Sequence, residues 1–185
     1  MTVGIFDGVH RGHQCLLNKI VSHNVDYVPV VVTFKENHKI VRSEGLGVRS
    51  EGLGVRSSGI DIQSFEDRLA MFEKLGIQIT IVIEFTEEFK HMPGIEFLDV
   101  LLKHGGVGFF AVGSNFRCGY QLDTDAKVIQ NFFASREIAA EIVQEVCHPT
   151  GNYEESLPIS SSRIRAAIGA GNIPLAEDML GHFQF

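Results

Sequence analysis

The 185-residue chain carries 16 Lys plus Arg against 23 Asp plus Glu, a formal charge of −7, which argues against non-specific nucleic-acid binding because that affinity draws on clustered basic side chains. Its 44% hydrophobic and 21% charged residues exclude a disordered chain, and its length suits one domain that buries a core without disulfides or metal. Cys15, Cys118 and Cys147 show no C-x-x-C spacing. No apolar run reaches the ~20 residues of a membrane span, and Asp7 and His10 stand where a secretory leader would be apolar, so a cytoplasmic domain without a membrane partner is expected.

Val3–Phe6 opens the chain as a β-like run, and Leu16, Leu17, Ile20 and Val21 follow at helical spacing. Tyr27–Phe34 is continuously apolar and β-branched, as in a central strand covered on both faces. Pro29 has no N–H for a ladder, so that strand should begin near Val30. Val41–Gly47 then repeats as Val48–Gly54, followed by Val55-Arg56-Ser57. Two glycines per unit disfavour a coiled coil, and the period predicts a slack duplicated loop over about 41–57 whose Arg42, Arg49 and Arg56 could approach an anion if it folded inward. Phe65, Leu69, Phe72 and Leu75 mark a helix started by Ser64 and Asp67. Beyond it come β-like Ile79–Ile83, a helix with Phe97, Leu98, Leu101 and Leu102, β-like Gly108–Gly113, a helix with Val128, Ile129, Phe132 and Phe133, and β-like Ile138–Val146. Such alternation predicts a mostly parallel sheet wrapped by helices, with ligands bound beyond the carboxyl ends of strands where the winding reverses.

Three segments carry candidate chemistry. Gly4–His13 (G-I-F-D-G-V-H-R-G-H) follows the first strand and opens the first helix. Gly8 and Gly12 leave room for a ligand against the backbone, and the helix start offers unpaired N–H groups to phosphate. His10 and His13, three apart, share a helix face and can donate to phosphate oxygens. Zinc is disfavoured, since no third ligand stands at recognisable spacing. Pro158–Arg165 (P-I-S-S-S-R-I-R) reads as a second helix start, with Ser160 as N-cap, Ile164, Ala167 and Ile168 as the buried stripe, and Gly169 and Gly171 as the stop. Arg163 and Arg165 point to nearly opposite sides, so only one faces a ligand. Val112–Gly119 places an exposed aromatic, Phe116, beside Asn115 and Arg117 at a strand's carboxyl end.

Together these segments resemble the adenylyltransferase module of bacterial FAD synthetase. The family pattern G-x-F-D-G-x-H-x-G-H is matched throughout by Gly4 to His13. V-G-x-[DN]-F-x-F-G is matched by Val112 to Gly119, with Cys118 for the second Phe. I-S-S-[ST]-x-[IV]-R is matched by Ile159 to Arg165, and Gly171–Gly181 resembles the helix that closes the module. The stretch usually read T-F-D-P-H-P is here Thr33-Phe34-Lys35-Glu36-Asn37-His38, so only Thr33 and Phe34 carry over.

The resemblance implies a doubly wound α/β nucleotidyltransferase domain of Rossmann-like topology over residues 1–185, its site between the first and fourth strands. The riboflavin kinase barrel of many relatives is not expected alongside it, so that FMN would come from a separate riboflavin kinase or another supply. The implied reaction makes FAD and pyrophosphate from ATP and FMN with Mg2+ on the phosphates and few protein ligands to the metal. His10, His13 and Arg165 are implied as catalytic. Gly4, Phe6, Asp7, Gly8, Gly12, Ile159, Ser160, Ser161 and Ser162 would meet ATP, with Asp7 more a brace of the glycine loop than a substrate contact. Thr33, Phe34, Asn115, Phe116 and Arg117 would meet the flavin. Two other readings fit the same residues: a cytidylyltransferase-like enzyme sharing H-x-G-H, and a non-catalytic flavin- or nucleotide-binding module.

Overall fold

The computed structural model describes residues 1–35, 61–149 and 156–182. The duplicated stretch 41–57 and the altered run Glu36–His38 lie outside the described residues. In chain order the elements are β1 (Thr2–Val3), α1 (Arg11–Val21), β2 (Val30–Lys35), α2 (Phe65–Lys74), β3 (Ile79–Glu84), α3 (Glu87–Lys90), α4 (Gly94–Gly105), β4 (Phe109–Gly113), β5 (Arg117–Cys118), β6 (Thr124–Asp125), α5 (Ala126–Ala134), β7 (Ala139–Val143), β8 (Cys147–Pro149), β9 (Ser156–Pro158), α6 (Ser161–Gly169) and α7 (Ile173–Leu180).

Five parallel strands form one sheet in the order β3-β2-β1-β4-β7, and the pairs β5-β6 and β8-β9 stand apart as antiparallel ribbons. The winding reverses between β1 and β4, which makes their carboxyl ends the place where a ligand is expected in such a sheet. Both faces are covered, which gives the doubly wound α/β fold expected from sequence. Along β2, Val30, Val32 and Phe34 pack with α4 and α5 side chains such as Leu98 and Phe133, while Val31 packs with Leu17 of α1 and Phe72 of α2. β4 repeats the alternation, with Phe110 and Val112 on one face and Phe109 and Ala111 on the other. Burying each such side chain contributes about 1.5–3 kcal/mol. A third cluster joins Ile62, Ile159, Ile164, Met179 and Leu180, and so fastens α6 and α7 together.

Several boundaries differ from the sequence expectation. β1 ends at Val3 rather than Phe6, because Phe6 turns left-handed at φ 58°. The Gly4 N–H still reaches the Val32 carbonyl at 3.0 Å. β7 spans Ala139–Val143, not Ile138–Val146. β2 begins at Val30, as Pro29 requires. Val128 faces solvent, 38% exposed, whereas Ile129 and Phe133 are fully buried. Phe116, expected to be exposed, is partly buried against the larger core cluster.

Candidate functional site

The chain enters α1 through a tight left-handed passage, with φ 58° at Phe6, 78° at Gly8 and 36° at Val9. Such values at non-glycine residues cost about 1–3 kcal/mol each and persist only where packing holds them. Here Val9 is fully buried, and Gln14 Nε2 donates to its carbonyl at 2.8 Å. Gly8 is required twice over, by its φ and because a Cβ there would stand 3.0 Å from Ile62. His10 then caps α1, its Nδ1 accepting the His13 N–H at 3.3 Å. The two imidazoles stack face to face with centroids 3.6 Å apart. Burial lowers the His10 pKa from 6.5 to about 4, although the nearby Asp7 charge pulls the other way. At neutral pH the ring is therefore uncharged, and with Nδ1 accepting, its hydrogen sits on Nε2 as a donor.

α6 supplies the opposing wall. The Ser160 hydroxyl oxygen accepts the Arg163 N–H at 3.3 Å, so this serine is the N-cap. Ser161 Oγ donates to the Asp7 carbonyl at 3.0 Å, which ties α6 to the glycine passage. Two serine hydroxyls are thus engaged in structure, and the N–H groups of Ser161 and Ser162 are those a helix start leaves for an anion. Arg165 Nη2 donates to Asp7 Oδ2 at 2.7 Å. The Ile62 N–H meets the other oxygen of this buried carboxylate at 3.1 Å. Arg163 turns away and donates to the Leu157 and Pro158 carbonyls, both at 2.7 Å.

Between these helix starts and the carboxyl ends of β4 and β7 lies a cavity of about 390 Å³. His10, Gly12, His13, Ile159, Ser160, Ser161, Ser162 and Arg165 all line it, and so does Asn115. Gly4, Phe6, Asp7 and Gly8 do not. Phe6 is buried edge-on to His13, centroids 5.2 Å apart, and Gly4 gives its ring room, since a Cβ would lie 3.0 Å from it. Thr33, Phe34, Phe116 and Arg117 also stand outside the cavity. The Thr33 hydroxyl donates to the Ile5 carbonyl at 3.3 Å. Phe34 joins Phe85 and Phe89 in an aromatic cluster, and Arg117 lies 3.9 Å from Asp125 across the β5-β6 ribbon.

Sequence reasoning passed over Gln144, Glu145 and Val146, which were assigned to a strand but line the cavity. Asn115 Nδ2 donates to Glu145 Oε1 at 2.9 Å and bridges the ends of β4 and β7. It also passed over Arg68, a buried α2 residue that donates to the Ile5 and Phe34 carbonyls at 2.7 and 3.3 Å and joins the ends of β1 and β2. No sequence signal marks it, since an arginine on an amphipathic helix ordinarily faces water. Among the described residues no group of three or more His, Cys, Asp or Glu is arranged to hold a metal ion.

A family described as FAD synthetase matches residues 1–163. The bifunctional riboflavin kinase/FMN adenylyltransferase of Escherichia coli is 29% identical over 186 residues, covering 98% of this chain and 54% of that protein. The FAD synthetase of Listeria monocytogenes is 28% identical over 182 residues, covering 98% of this chain and 68% of that protein. The chain spans about half the length of the first of these. A crystal structure described as a macrolide-efflux protein from Streptococcus pneumoniae superimposes with a TM-score of 0.75 at 28% identity, covering 98% of this chain and 56% of that one. Among the described residues, no helix is long and apolar enough to cross a membrane.

Proposed function

Because this chain belongs to the FAD synthetase family, we propose that it is a nucleotidyltransferase that joins FMN to the AMP portion of MgATP, releasing pyrophosphate. What supports this reading most is the meeting of two helix N-termini, α1 and α6, over one cavity that also holds two histidines and an arginine. Both helix dipoles present their positive ends there, where a polyanion is favoured.

In the proposed reaction the FMN phosphate attacks the α-phosphorus in line and pyrophosphate leaves, with no covalent enzyme intermediate. Negative charge grows on the leaving group, and catalysis is then positioning plus preorganised donors. His10 and His13 act from the α1 side. The Ser161 and Ser162 N–H groups and the Arg165 guanidinium act from the α6 side. Asp7 holds that guanidinium in place and does not itself meet the nucleotide. Magnesium arrives with the nucleotide and is held chiefly by its phosphates. Thr33, Phe34, Phe116 and Arg117 belong to the acceptor side of the site in this reading, and Asn115 stands where the nucleotide and the acceptor adjoin.

The test is chromatography for FAD after mixing the purified protein with ATP, magnesium and FMN. FAD should form with ATP, and no dinucleotide product should form with CTP. Absence of FAD from the first mixture overturns the reading, and product from CTP with a phosphorylated alcohol replaces it with the cytidylyltransferase one.

A further inference from the structure

The cavity depends on two separate helix starts keeping their distance, and the Ser161 and Arg165 bonds to Asp7 brace α6 only against the passage that precedes α1. A chain of polar contacts runs behind them. Arg11, the first residue of α1 after the His10 cap, donates from Nη2 to Asp178 Oδ1 at 2.7 Å. The other carboxylate oxygen of Asp178, on α7, meets His148 Nε2 of β8 at 2.5 Å. In the β8-β9 ribbon His148 lies opposite Leu157. Arg163 of α6 donates to that same Leu157 carbonyl and to Pro158, and β9 leads directly into Ile159 and the Ser160 cap. One carboxylate therefore sits at the centre of a path from α1 through α7, β8 and β9 to α6.

None of Arg11, His148 or Asp178 lines the cavity, so whatever they do for a ligand is done through others. The His148 side chain is only 14% exposed, and its Nδ1 is buried with no partner among the described residues. The ring meets Asp178 through Nε2. The bond from His148, and next the charges of Arg11 and His148, hold the Asp178 carboxyl below its usual range, which keeps it ionised at neutral pH. An exposed ion pair of this kind adds little to global stability. Its geometry, with one oxygen committed to each side, is instead suited to setting a separation.

We propose that Asp178 is a positioning residue that fixes the α1 and α6 helix starts at one separation, through Arg11 on one side and His148 on the other. The proposal rests on the reading of the cavity as a phosphate site. Pyrophosphate, which must be gripped from both helix starts at once, is the ligand most sensitive to that separation.

The experiment compares the unsubstituted protein with Asp178→Asn and Asp178→Glu in FAD formation, pyrophosphate binding by calorimetry and thermal melting. Asp178→Asn should lower kcat about five- to tenfold, leave KM for MgATP within about twofold and weaken pyrophosphate binding by about the same factor as kcat. Its Tm should stay within about 3 °C of the unsubstituted protein. Asp178→Glu, which keeps the charge, should recover kcat to within about twofold. Unchanged kcat and pyrophosphate affinity in Asp178→Asn overturn the proposal. So does equal loss in both variants with Tm falling in step, since that is a merely structural role. If the unsubstituted protein makes no FAD, the adenylyltransferase reading fails, and the pyrophosphate arm still decides: weaker binding in Asp178→Asn sustains the positioning role, and equal binding overturns it.

Discussion

Around the cavity, the groups proposed to face a phosphate come from two short continuous segments, each at the start of a helix, and local rules set their directions. Three-residue spacing brings His10 over His13, and an N-cap orients Ser160. Around the β5-β6 ribbon, by contrast, the residues proposed for the acceptor side come from separate strands, and neighbours already engage several of them. Thr33 serves the Ile5 carbonyl, Phe34 serves an aromatic cluster, and Arg117 faces Asp125. The ribbon is seated against α4 by Asp123, whose Oδ1 accepts from Gly94 N and Thr124 Oγ1 at 3.0 and 2.9 Å. Gln121 and Leu122 at its tip sit at left-handed φ of 55° and 58°. Helix ends make an anion site almost by themselves, whereas an acceptor site depends on how distant strands pack.

Four substitutions test that contrast. His13→Ala strikes the phosphate half directly and should lower turnover by ~10²–10³-fold, or about 3–4 kcal/mol, with circular dichroism unchanged. Arg117→Ala, its acceptor-side counterpart, should cost less than about tenfold and act on KM for FMN. Equal losses in steady-state assays would erase the difference between the halves.

Arg165→Ala should lose turnover and about 3 kcal/mol of stability together, because it leaves the Asp7 carboxylate buried without its cation. Urea titration would show this as a lower midpoint. Arg163→Ala should cost turnover no more than Asp178→Asn does, under about tenfold, since only its helix-to-ribbon bonds are lost. A harmless Arg165→Ala would mean that Asp7 does not depend on its partner.

The third test uses acid. The His10 pKa is lowered in the folded protein, from 6.5 to about 4, so the unfolded chain binds more protons between those values. Stability from this source is full above pH 6.5, falls as pH drops towards 4, and amounts to about 3 kcal/mol. His10→Asn puts a capping oxygen in place of Nδ1 without the titration, and its stability measured between pH 4 and 7 should be flatter. A slope equal to that of the unsubstituted protein would remove His10 as the origin. The smallest effect belongs to the ribbon. Gln121→Gly should relieve its left-handed backbone and stabilise the fold by about 1 kcal/mol, read as a raised urea midpoint.

The parts legible in the sequence are those with local causes. The apolar run after Pro29 gave away a strand starting at Val30, and Ser64 and Ser160 marked helix starts. The mostly parallel sheet followed from strand–helix alternation, whereas a site between the first and fourth strands was implied only by the family resemblance. The early end of β1 was not legible, because Phe6 is an ordinary strand residue by type and only the buried passage to α1 forces it left-handed. Likewise Gln144, Glu145 and Val146 continue the composition of a strand, and leave it because the chain must turn along the cavity towards β8. Arg68 and Asp178 look like surface charges, and their partners are carbonyls or side chains far away in sequence.

Asp7 and Arg165 are 158 positions apart, and Arg11 and Asp178 are 167 apart. Contacts between such remote positions close slowly, since loop entropy must be overcome before they return any stabilisation. During synthesis the histidine-bearing segment therefore emerges long before its late partners Arg165 and Asp178. If the cavity is the phosphate site proposed for it, that affinity would be acquired at the end of folding, when Arg165 and Asp178 have docked.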